Sequence, residues 1–312
     1  MSSPSAKGDP TEGAPMTRSE TWMSDGNVIL QVGNKQFRVH WSVLALHSHV
    51  FRDMQGLPQP EDQPIVDGCP VVELFDDPVD VEYLLKVLYT PTFLSRKVLP
   101  LPAVAALIRL GRKYGFKDLW DSAVERLTSQ CPTTLEAYDS FSRIFEYYNA
   151  LDFDIVALAS ENKILSALPC AYYRLLDDSP LQYLFDEIQR PDGTIARLSG
   201  PNLQTCVKAR ERLLAKQFRD GYTLGWARQW EFYDCQKALC RTARESILKR
   251  YLLAAEMGAL ERPNIVSGGF HNLCPTCSKH AIESTTAGRK KMWEELPQVF
   301  DLSVWNELKN DM

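Results

Sequence analysis

Long apolar runs are absent from this sequence, and none approaches the roughly 20 residues needed to span a bilayer. The first 20 residues are rich in serine, proline, glycine and threonine and lack the apolar centre of a secretory signal peptide. We therefore expect an intracellular protein, cytoplasmic or nuclear, with no membrane partner. In a reducing compartment, the eight cysteines favour metal binding or simple burial over disulfides.

Signatures of catalysis are also missing. There is no glycine-rich dinucleotide loop, no Walker loop, no G-x-S-x-G elbow and no H-E-x-x-H helix. Adjacent carboxylates such as Asp76 and Asp77 point apart, so they do not form an acid–base pair. We interpret His40 as a hydrogen-bonded residue at a strand–helix junction, and His47 and His49 as helix-surface residues. The chain is therefore predicted not to be an enzyme.

Charge of one sign does not dominate the chain either. The net charge is -5, with 45% hydrophobic and 24% charged residues, which is an ordinary globular balance. This balance gives no general reason to expect nucleic acid as a partner. The basic run Arg289-Lys290-Lys291 is followed by two glutamates and is interpreted as a solvated helix face. A length of 312 residues predicts two domains.

The stretch from Val28 to Met54 is the most informative part of the sequence. Two apolar segments flank Gly33-Asn34, a pair that accepts positive φ and forms a tight turn, so a β-hairpin is predicted. A short apolar helix should follow His40. Ser48 is well placed to cap the next helix, which would bury Phe51. Further along, Asp77 and Pro78 should begin another helix.

The order of these features resembles the BTB/POZ domain family. An aspartate, a hairpin, a histidine leading into a "VLA" helix and an S-x-x-F helix start recur in order, and a Leu-x-x-x-Tyr-x-Phe corner follows. The matching positions are Asp25, Val28 to Val32, Phe37 to Val39, His40, Val43 to Ala45, Ser48, Phe51, Leu110, Tyr114 and Phe116. Family members often carry a basic residue after the histidine, where this chain has Trp41, and this departure puts a charged peptide-binding groove in doubt.

The resemblance implies an α+β domain, a small sheet plus a helix cluster, over residues 22–130. Residues 1–21 offer almost nothing to bury and are predicted to be a disordered tail. The resemblance also implies a non-catalytic protein-interaction function, with self-association as a homodimer and recruitment of other proteins. Ubiquitin-ligase adaptors that bind a cullin and transcription-related scaffolds are two such roles. The predicted interaction residues are Trp22, Met23, Asp25, Val28, His40 and Trp41.

Residues 131–312 are predicted to form a mainly α-helical C-terminal domain. Phe141, Ile144, Phe145 and Tyr148 have helical spacing, and a long helix is expected over residues 236–257. Two short helices are predicted at 290–296 and 302–308. The C-terminal region resembles that of fungal BTB/POZ proteins with a Trp-x-x-Leu-Pro-x-x-Phe ending. That motif is carried here by Trp293, Leu296, Pro297 and Phe300.

Cysteines suggest a metal site in residues 235–280. Cys274 and Cys277 form a CxxC pair, and Cys235 and Cys240 form a second pair that could share one zinc if Cys235 precedes a helix and Cys240 lies in its first turn. His271 and His280 are alternative ligands. A set of free thiols and a redox CxxC are the competing interpretations. A zinc-containing regulator that contacts nucleic acid is therefore the alternative function.

Overall fold

The computed structural model describes residues 15–57, 62–140, 142–177, 179–228, 235, 237–253, 255–263 and 272–312. The chain divides into two compact units, Met1–Val124 and Glu125–Met312. None of the described helices is both long enough and apolar enough to cross a membrane.

A five-stranded mixed sheet forms the centre of the N-terminal unit. Its strands are β1 (Thr17–Trp22), β2 (Val28–Val32), β3 (Lys35–Val39), β4 (Ile65–Val66) and β5 (Cys69–Leu74). The spatial order is β1-β3-β2-β5-β4. β2 and β3 form the predicted antiparallel hairpin, whose turn has Gly33 at φ +56°. β5 lies parallel to β2, so the predicted third strand does pair with the hairpin.

The first strand corrects one prediction from the sequence. The tail was expected to extend to Thr21, but β1 begins at Thr17 and lies parallel to β3. Its sequence is mostly polar and shows little apolar alternation, so its pattern does not indicate a strand. Backbone hydrogen bonds to β3 hold it at the sheet edge instead. Residues 1–14 lie outside the described residues.

Five helices accompany this sheet: α1 (Trp41–His47), α2 (His49–Gln55), α3 (Pro78–Tyr89), α4 (Leu101–Tyr114) and α5 (Lys117–Gln130), which continues past the division at Val124. Ser48 caps α2 by accepting a hydrogen bond from the backbone N–H of Phe51, as predicted. Asp77 caps α3 with Pro78 in the first turn, also as predicted. These caps stabilise helices whose apolar faces meet the sheet.

The predicted core is confirmed with two exceptions. Six of the expected residues are buried: Leu44, Phe51, Leu84, Leu107, Ile108 and Val124. Val43 and Leu88 are only half-buried. In the last turn of α3 the buried residue is Val87, at 4% exposure, and the neighbouring Leu88 lies at the margin of the apolar face.

The second unit is mainly helical. Its helices are α6 (Leu135–Asp139), α7 (Leu151–Glu161), α8 (Leu168–Asp177), α9 (Gly200–Lys216), α10 (Gly225–Arg228), α11 (Ala238–Leu248), α12 (Pro275–Glu294) and α13 (Leu296–Val299), with a small hairpin of β6 (Ile188–Gln189) and β7 (Ile195–Ala196). A π-helical turn, Lys249–Leu253, extends α11. The predicted fold class, an α+β domain followed by a helical region, is confirmed.

The long helix expected over residues 236–257 is present with narrower bounds, as α11 from Ala238 to Leu248 and its π-helical extension to Leu253. Other helix predictions in this unit were wrong. No helix forms at residues 142–148; there the backbone N–H of Ile144 donates to the Gln130 side chain, so a side chain satisfies a group that a helix would have used. The two short C-terminal helices are replaced by the 20-residue α12, by α13 and by one 3-10 turn at Trp305–Glu307.

Glycine at position 288 shows why α12 is hard to recognise. A β-carbon there would lie 2.3 Å from the backbone carbonyl carbon of Tyr222. Glycine weakens a helix interior, but here it lets the backbone of α12 approach the chain at Tyr222. Tertiary packing therefore overrides local helix preference at this position.

Candidate functional site

The four cysteines predicted as metal ligands lie together at the start of two helices. Cys235 precedes α11 and Cys240 lies in the first turn of α11. Cys274 is the N-cap residue of α12, and Cys277 lies in its first turn. Each helix therefore contributes one thiol just ahead of its first turn and one from within it.

Their sulfur atoms form a compact group. All four lie within 4.8 Å of one another. The Sγ atoms of Cys235 and Cys274 are 3.9 Å apart. Thiolates bonded to one zinc at about 2.3 Å would be separated by roughly 3.8 Å in a tetrahedron. The arrangement therefore fits a closed four-thiolate shell with a modest contraction.

Surrounding groups support a negatively charged cluster. The backbone N–H of Cys274 donates to Cys240 Sγ at 3.2 Å. Helix N-termini carry partial positive charge, so two of them facing the same sulfurs favour thiolates there. The cluster also borders an apolar core that includes Phe218, Trp226, Ile247 and Tyr251. This core holds both helix ends in place around the sulfurs.

The thiols of the cluster titrate differently. The backbone N–H of Cys277 stabilises the Cys274 thiolate, and hydrogen bonding from the Cys277 thiol adds to this effect, so the pKa of Cys274 falls to about 7. Burial raises the pKa of Cys240 and that of Cys277. The Cys274 thiol therefore ionises more readily than those of Cys240 and Cys277.

Of the two alternative histidine ligands, His280 does not join this group. His280 lies on α12 with its Nε2 atom 3.4 Å from Ser284 Oγ. Within the described residues, only the four cysteines come together as a set of metal-ligand type. His271 lies outside the described residues.

Among the predicted interaction residues, Trp22 and Met23 lie at the end of the edge strand β1. Trp22 is half-buried, packs against the cluster of Ile29, Cys69 and Val71, and carries the Arg18 guanidinium 4.4 Å above its ring centroid. Met23 follows directly and is also half-buried. Both side chains are thus partly accessible at one edge of the sheet.

Asp25 and His40 form a polar junction between the hairpin and α1. His40 Nε2 lies 3.2 Å from Asp25 Oδ1, and His40 Nδ1 lies 3.1 Å from the Tyr89 hydroxyl. A backbone hydrogen bond and the bond from His40 lower the pKa of Asp25. Burial raises the pKa of Tyr89. His40 is therefore the hydrogen-bonded junction residue that the sequence predicted.

Two predicted interaction residues belong to the core instead. Val28 is 1% exposed in β2, and Trp41 is 9% exposed with its ring edge-on to Phe51. Neither can meet a partner without rearrangement of this fold. Val28 packs inward from β2 and Trp41 packs inward from α1.

Other surface and buried features were missed by sequence reasoning. Phe75 is 84% exposed directly after β5, and Val79 is 53% exposed in the first turn of α3. From the sequence, Phe75 is the last residue of a third strand, Val71 to Phe75. In the structure, pairing of β5 with β2 ends one residue earlier, at Leu74, and Phe75 lies outside the sheet. Large apolar side chains with this much exposure are a feature of contact surfaces.

The basic run near the C-terminus also behaves differently from the prediction. Arg289 is buried at 5% exposure, not solvated. Its guanidinium donates to both carboxylate oxygens of Asp139, at 2.7 and 3.1 Å, and to the Leu260 carbonyl. Burial opposes ionisation of Asp139, but the hydrogen bonds and charges of Arg289 and Arg262 outweigh it and lower the pKa. Arg289 therefore has a structural role and is not part of a solvated helix face.

A polar cavity of about 390 Å³ lies beside this ion pair, lined in part by Tyr138, Arg174, Asp177 and Glu261. Burial raises the pKa of Glu261, whose carboxylate accepts a 3.3 Å hydrogen bond from Tyr251. The described residues that line the cavity include no serine, cysteine or histidine. Its charged groups are therefore available for binding or for structure, and it presents no nucleophile–base pair.

The N-terminal unit, in which a small curled sheet is covered by a cluster of helices, defines a class of α+β interaction domain. Residues 18–130 match the family model for the BTB/POZ domain. This part of the chain is a BTB/POZ domain, a protein–protein interaction module. Such domains mediate dimerisation and bind partners such as cullins. No curated protein matches the chain.

Proposed function

We propose that this protein is a non-catalytic interaction protein that self-associates through its BTB/POZ domain and recruits a second protein. The observation that supports this most is an accessible sheet edge, β1, with Trp22 and Met23 at its end. An edge strand offers unpaired backbone groups, and two copies could use the same patch symmetrically.

Sedimentation of the full chain at tens of micromolar tests self-association. We expect a dimer for the natural sequence and a shift toward monomer for Trp22→Asp and Met23→Asp. Leu46→Asp is the matched control, because Leu46 is 71% exposed on α1, away from β1. Met23→Asp guards against a folding defect, since Trp22 also packs on the sheet. A monomer of the natural sequence would contradict the proposal.

Recruitment is proposed to use the exposed pair Phe75 and Val79. Both side chains are apolar and exposed, which favours a protein contact, and the family includes cullin-binding members. Binding of a purified cullin N-terminal region to the full chain, measured by calorimetry, tests this role. Phe75→Asp should remove binding, and Leu46→Asp should leave it unchanged. Without cullin binding, the adaptor role fails and a scaffold role remains.

The helical unit is proposed to carry one structural zinc on Cys235, Cys240, Cys274 and Cys277. Four thiolates complete a tetrahedral shell and leave no open position, so the metal would hold two helix ends together and would not catalyse. The observation that supports it is the group of four sulfurs within 4.8 Å. Metal binding of this kind is coupled to local folding.

Elemental analysis of purified protein should find about one zinc per chain. Cys274→Ser should lower that content and increase hydrogen exchange at the start of α12. Cys69→Ser is the control: Cys69 is buried in the other unit and its Sγ donates to the Gly26 carbonyl at 3.2 Å, a bond that serine can replace. Equal zinc content in both variants would contradict the site.

A further inference from the structure

The helix that supplies Cys240 carries a local excess of positive charge. Between residues 237 and 250 there are five basic side chains and one acidic one, in a chain whose net charge is -5. The basic residues are Lys237, Arg241, Arg244, Lys249 and Arg250, and the acid is Glu245. The negative total for the chain therefore conceals a local excess of positive charge.

The geometry of α11 directs much of this charge outward. Cys240, Ala243, Ile247 and Tyr251 are buried and follow helical spacing, so they form the inner face. Residues on the other side are exposed. The apolar face of the helix is thus already covered by the protein's own core, and the basic side is the one that solvent meets.

Three of the basic side chains are available for a partner. Arg250 is committed to Glu256, with Nε 2.9 Å from the carboxylate. Lys237, Arg241 and Lys249 are exposed and form no ion pair with a residue in the described part of the chain. They are hereafter called the α11 basic stripe. In sequence, Glu245 lies four positions from both Arg241 and Lys249, and Asp234, which is outside the described residues, lies three positions before Lys237.

The length of the α11 basic stripe matches that of a short segment of an extended polyanion. At about 1.5 Å per residue, its three charges extend over roughly 18 Å. One nucleic acid strand presents a phosphate about every 3.4 Å, so this length corresponds to roughly five phosphates. Arginine binds phosphate through two parallel hydrogen bonds, and lysine binds it as a point charge. A linear array of cations is therefore complementary to a phosphate backbone.

A lipid surface fits less well. Membrane-surface helices insert a continuous apolar face, but the apolar face of α11 is buried. The exposed leucines, Leu239 and the pair Leu252 and Leu253, lie at opposite ends of the segment. They do not form a stripe that could enter a bilayer.

We propose that the α11 basic stripe, held in place by the adjacent cysteine cluster, binds the phosphate backbone of nucleic acid without sequence preference. This inference deepens the proposed function, because it rests on the cluster that fixes the N-terminal end of α11. Lys237 lies between two of the four cysteines and Arg241 follows one of them, so metal binding would order the chain at two of the three cations.

The test is fluorescence anisotropy with the full chain, a labelled 20-base-pair DNA and a labelled single-stranded RNA, at 50 to 200 mM salt. Three phosphate contacts predict that affinity for duplex DNA falls about 40-fold over that range. Lys237→Glu combined with Arg241→Glu should weaken binding at least tenfold and leave a salt dependence of about fourfold or less. The RNA arm identifies which nucleic acid is preferred.

Lys208→Glu combined with Lys290→Glu is the matched control. It makes the same change in net charge at exposed lysines on α9 and α12, and it should alter affinity less than twofold. Lys249→Glu is a further variant, two turns beyond Cys240, that leaves the neighbourhood of the cysteines intact and should weaken binding several-fold. Equal losses in the control and stripe variants would overturn the inference, as would binding to anionic phospholipid vesicles without binding to nucleic acid.

Zinc content measured on the same samples separates the two proposals. Nucleic acid binding by a zinc-free natural chain would support the stripe and contradict the zinc site. A zinc-loaded chain that binds neither DNA nor RNA at 50 mM salt would overturn the inference and leave the zinc site standing.

Discussion

The BTB/POZ domain and the helical unit are stabilised in different ways. In the first, α4 buries ten of its 14 residues, nearly all apolar, beside a buried sheet. In the second, an apolar core is supplemented by buried polar links, such as Trp226 Nε1 donating to Thr285 Oγ1 at 2.9 Å and Arg289 bonded to Asp139. The BTB/POZ domain also contains a buried polar link, between Arg109 and Asp80, which are 29 positions apart. The difference is therefore one of reach, since the Arg289–Asp139 pair joins residues 150 positions apart in the chain.

The largest effect is expected from Phe51→Ala in the BTB/POZ domain. Phe51 is 1% exposed and its ring contacts those of Trp41, Tyr114 and Phe116. Loss of the ring should lower the free energy of unfolding of this domain by about 4 kcal/mol. Hydrogen exchange resolved by peptide should show faster exchange in β2 and α2, with little change in α7 and α8.

Phe75→Ala is the control for this comparison. The same change at a side chain that is 84% exposed should alter stability by less than about 0.5 kcal/mol. Similar losses at both positions would contradict the assignment of the core.

A smaller effect is expected from Asp139→Asn in the helical unit. The change leaves the buried guanidinium of Arg289 without its charged partner, and we expect a loss of about 3 kcal/mol in urea unfolding. Asp301→Asn is the matched control, because its ion pair with Arg212 is exposed at 60% and 42% and should contribute less than about 0.5 kcal/mol. Equal losses of stability in Asp139→Asn and Asp301→Asn would contradict the distinction between a buried and an exposed ion pair.

The same ion pair predicts a dependence on pH. The pKa of Asp139 is lowered in the folded protein, so its contribution is fully present above the ordinary value of 3.8 and is lost as the pH falls through the folded pKa. The natural chain should therefore lose more stability than Asp139→Asn between pH 5 and pH 3. Parallel loss in both proteins would contradict this role for Asp139.

The smallest effect is expected from Asp77→Ala. Asp77 Oδ1 accepts a 2.8 Å hydrogen bond from the backbone N–H of Val79 at the start of α3. Removal of this exposed cap should cost about 1 kcal/mol. Thermal unfolding of the BTB/POZ domain measures it, and Asp77→Asn should retain most of the stability because asparagine also caps helices well.

Much of the BTB/POZ domain could be predicted because its signals are local. The Gly33 turn, the Ser48 cap and the Asp77–Pro78 helix start each depend on residues a few positions apart. The paired cysteines were also recognisable as candidates, and α11 begins at Ala238, which meets the condition that Cys235 precede the helix and Cys240 lie in its first turn.

The rest depends on contacts between distant residues. β1 is polar and forms by pairing with β3. The apolar residues around Phe145 have helical spacing, but no helix forms there. The Gln130 side chain instead accepts a hydrogen bond from the backbone N–H of Ile144. In sequence, Arg289 has the character of a surface residue, because its partner Asp139 is 150 positions away in the chain. The charge of α11 was hidden for another reason: a whole-chain average cancels local excesses.

Native mass spectrometry of the full chain tests the central claim most directly, because it reads assembly and metal content together. We predict a species with twice the mass of one chain plus two zinc ions. After treatment with a strong chelator, the mass should fall by two zinc ions while the BTB/POZ-mediated dimer persists. A monomer without metal, at concentrations of tens of micromolar, would contradict the account.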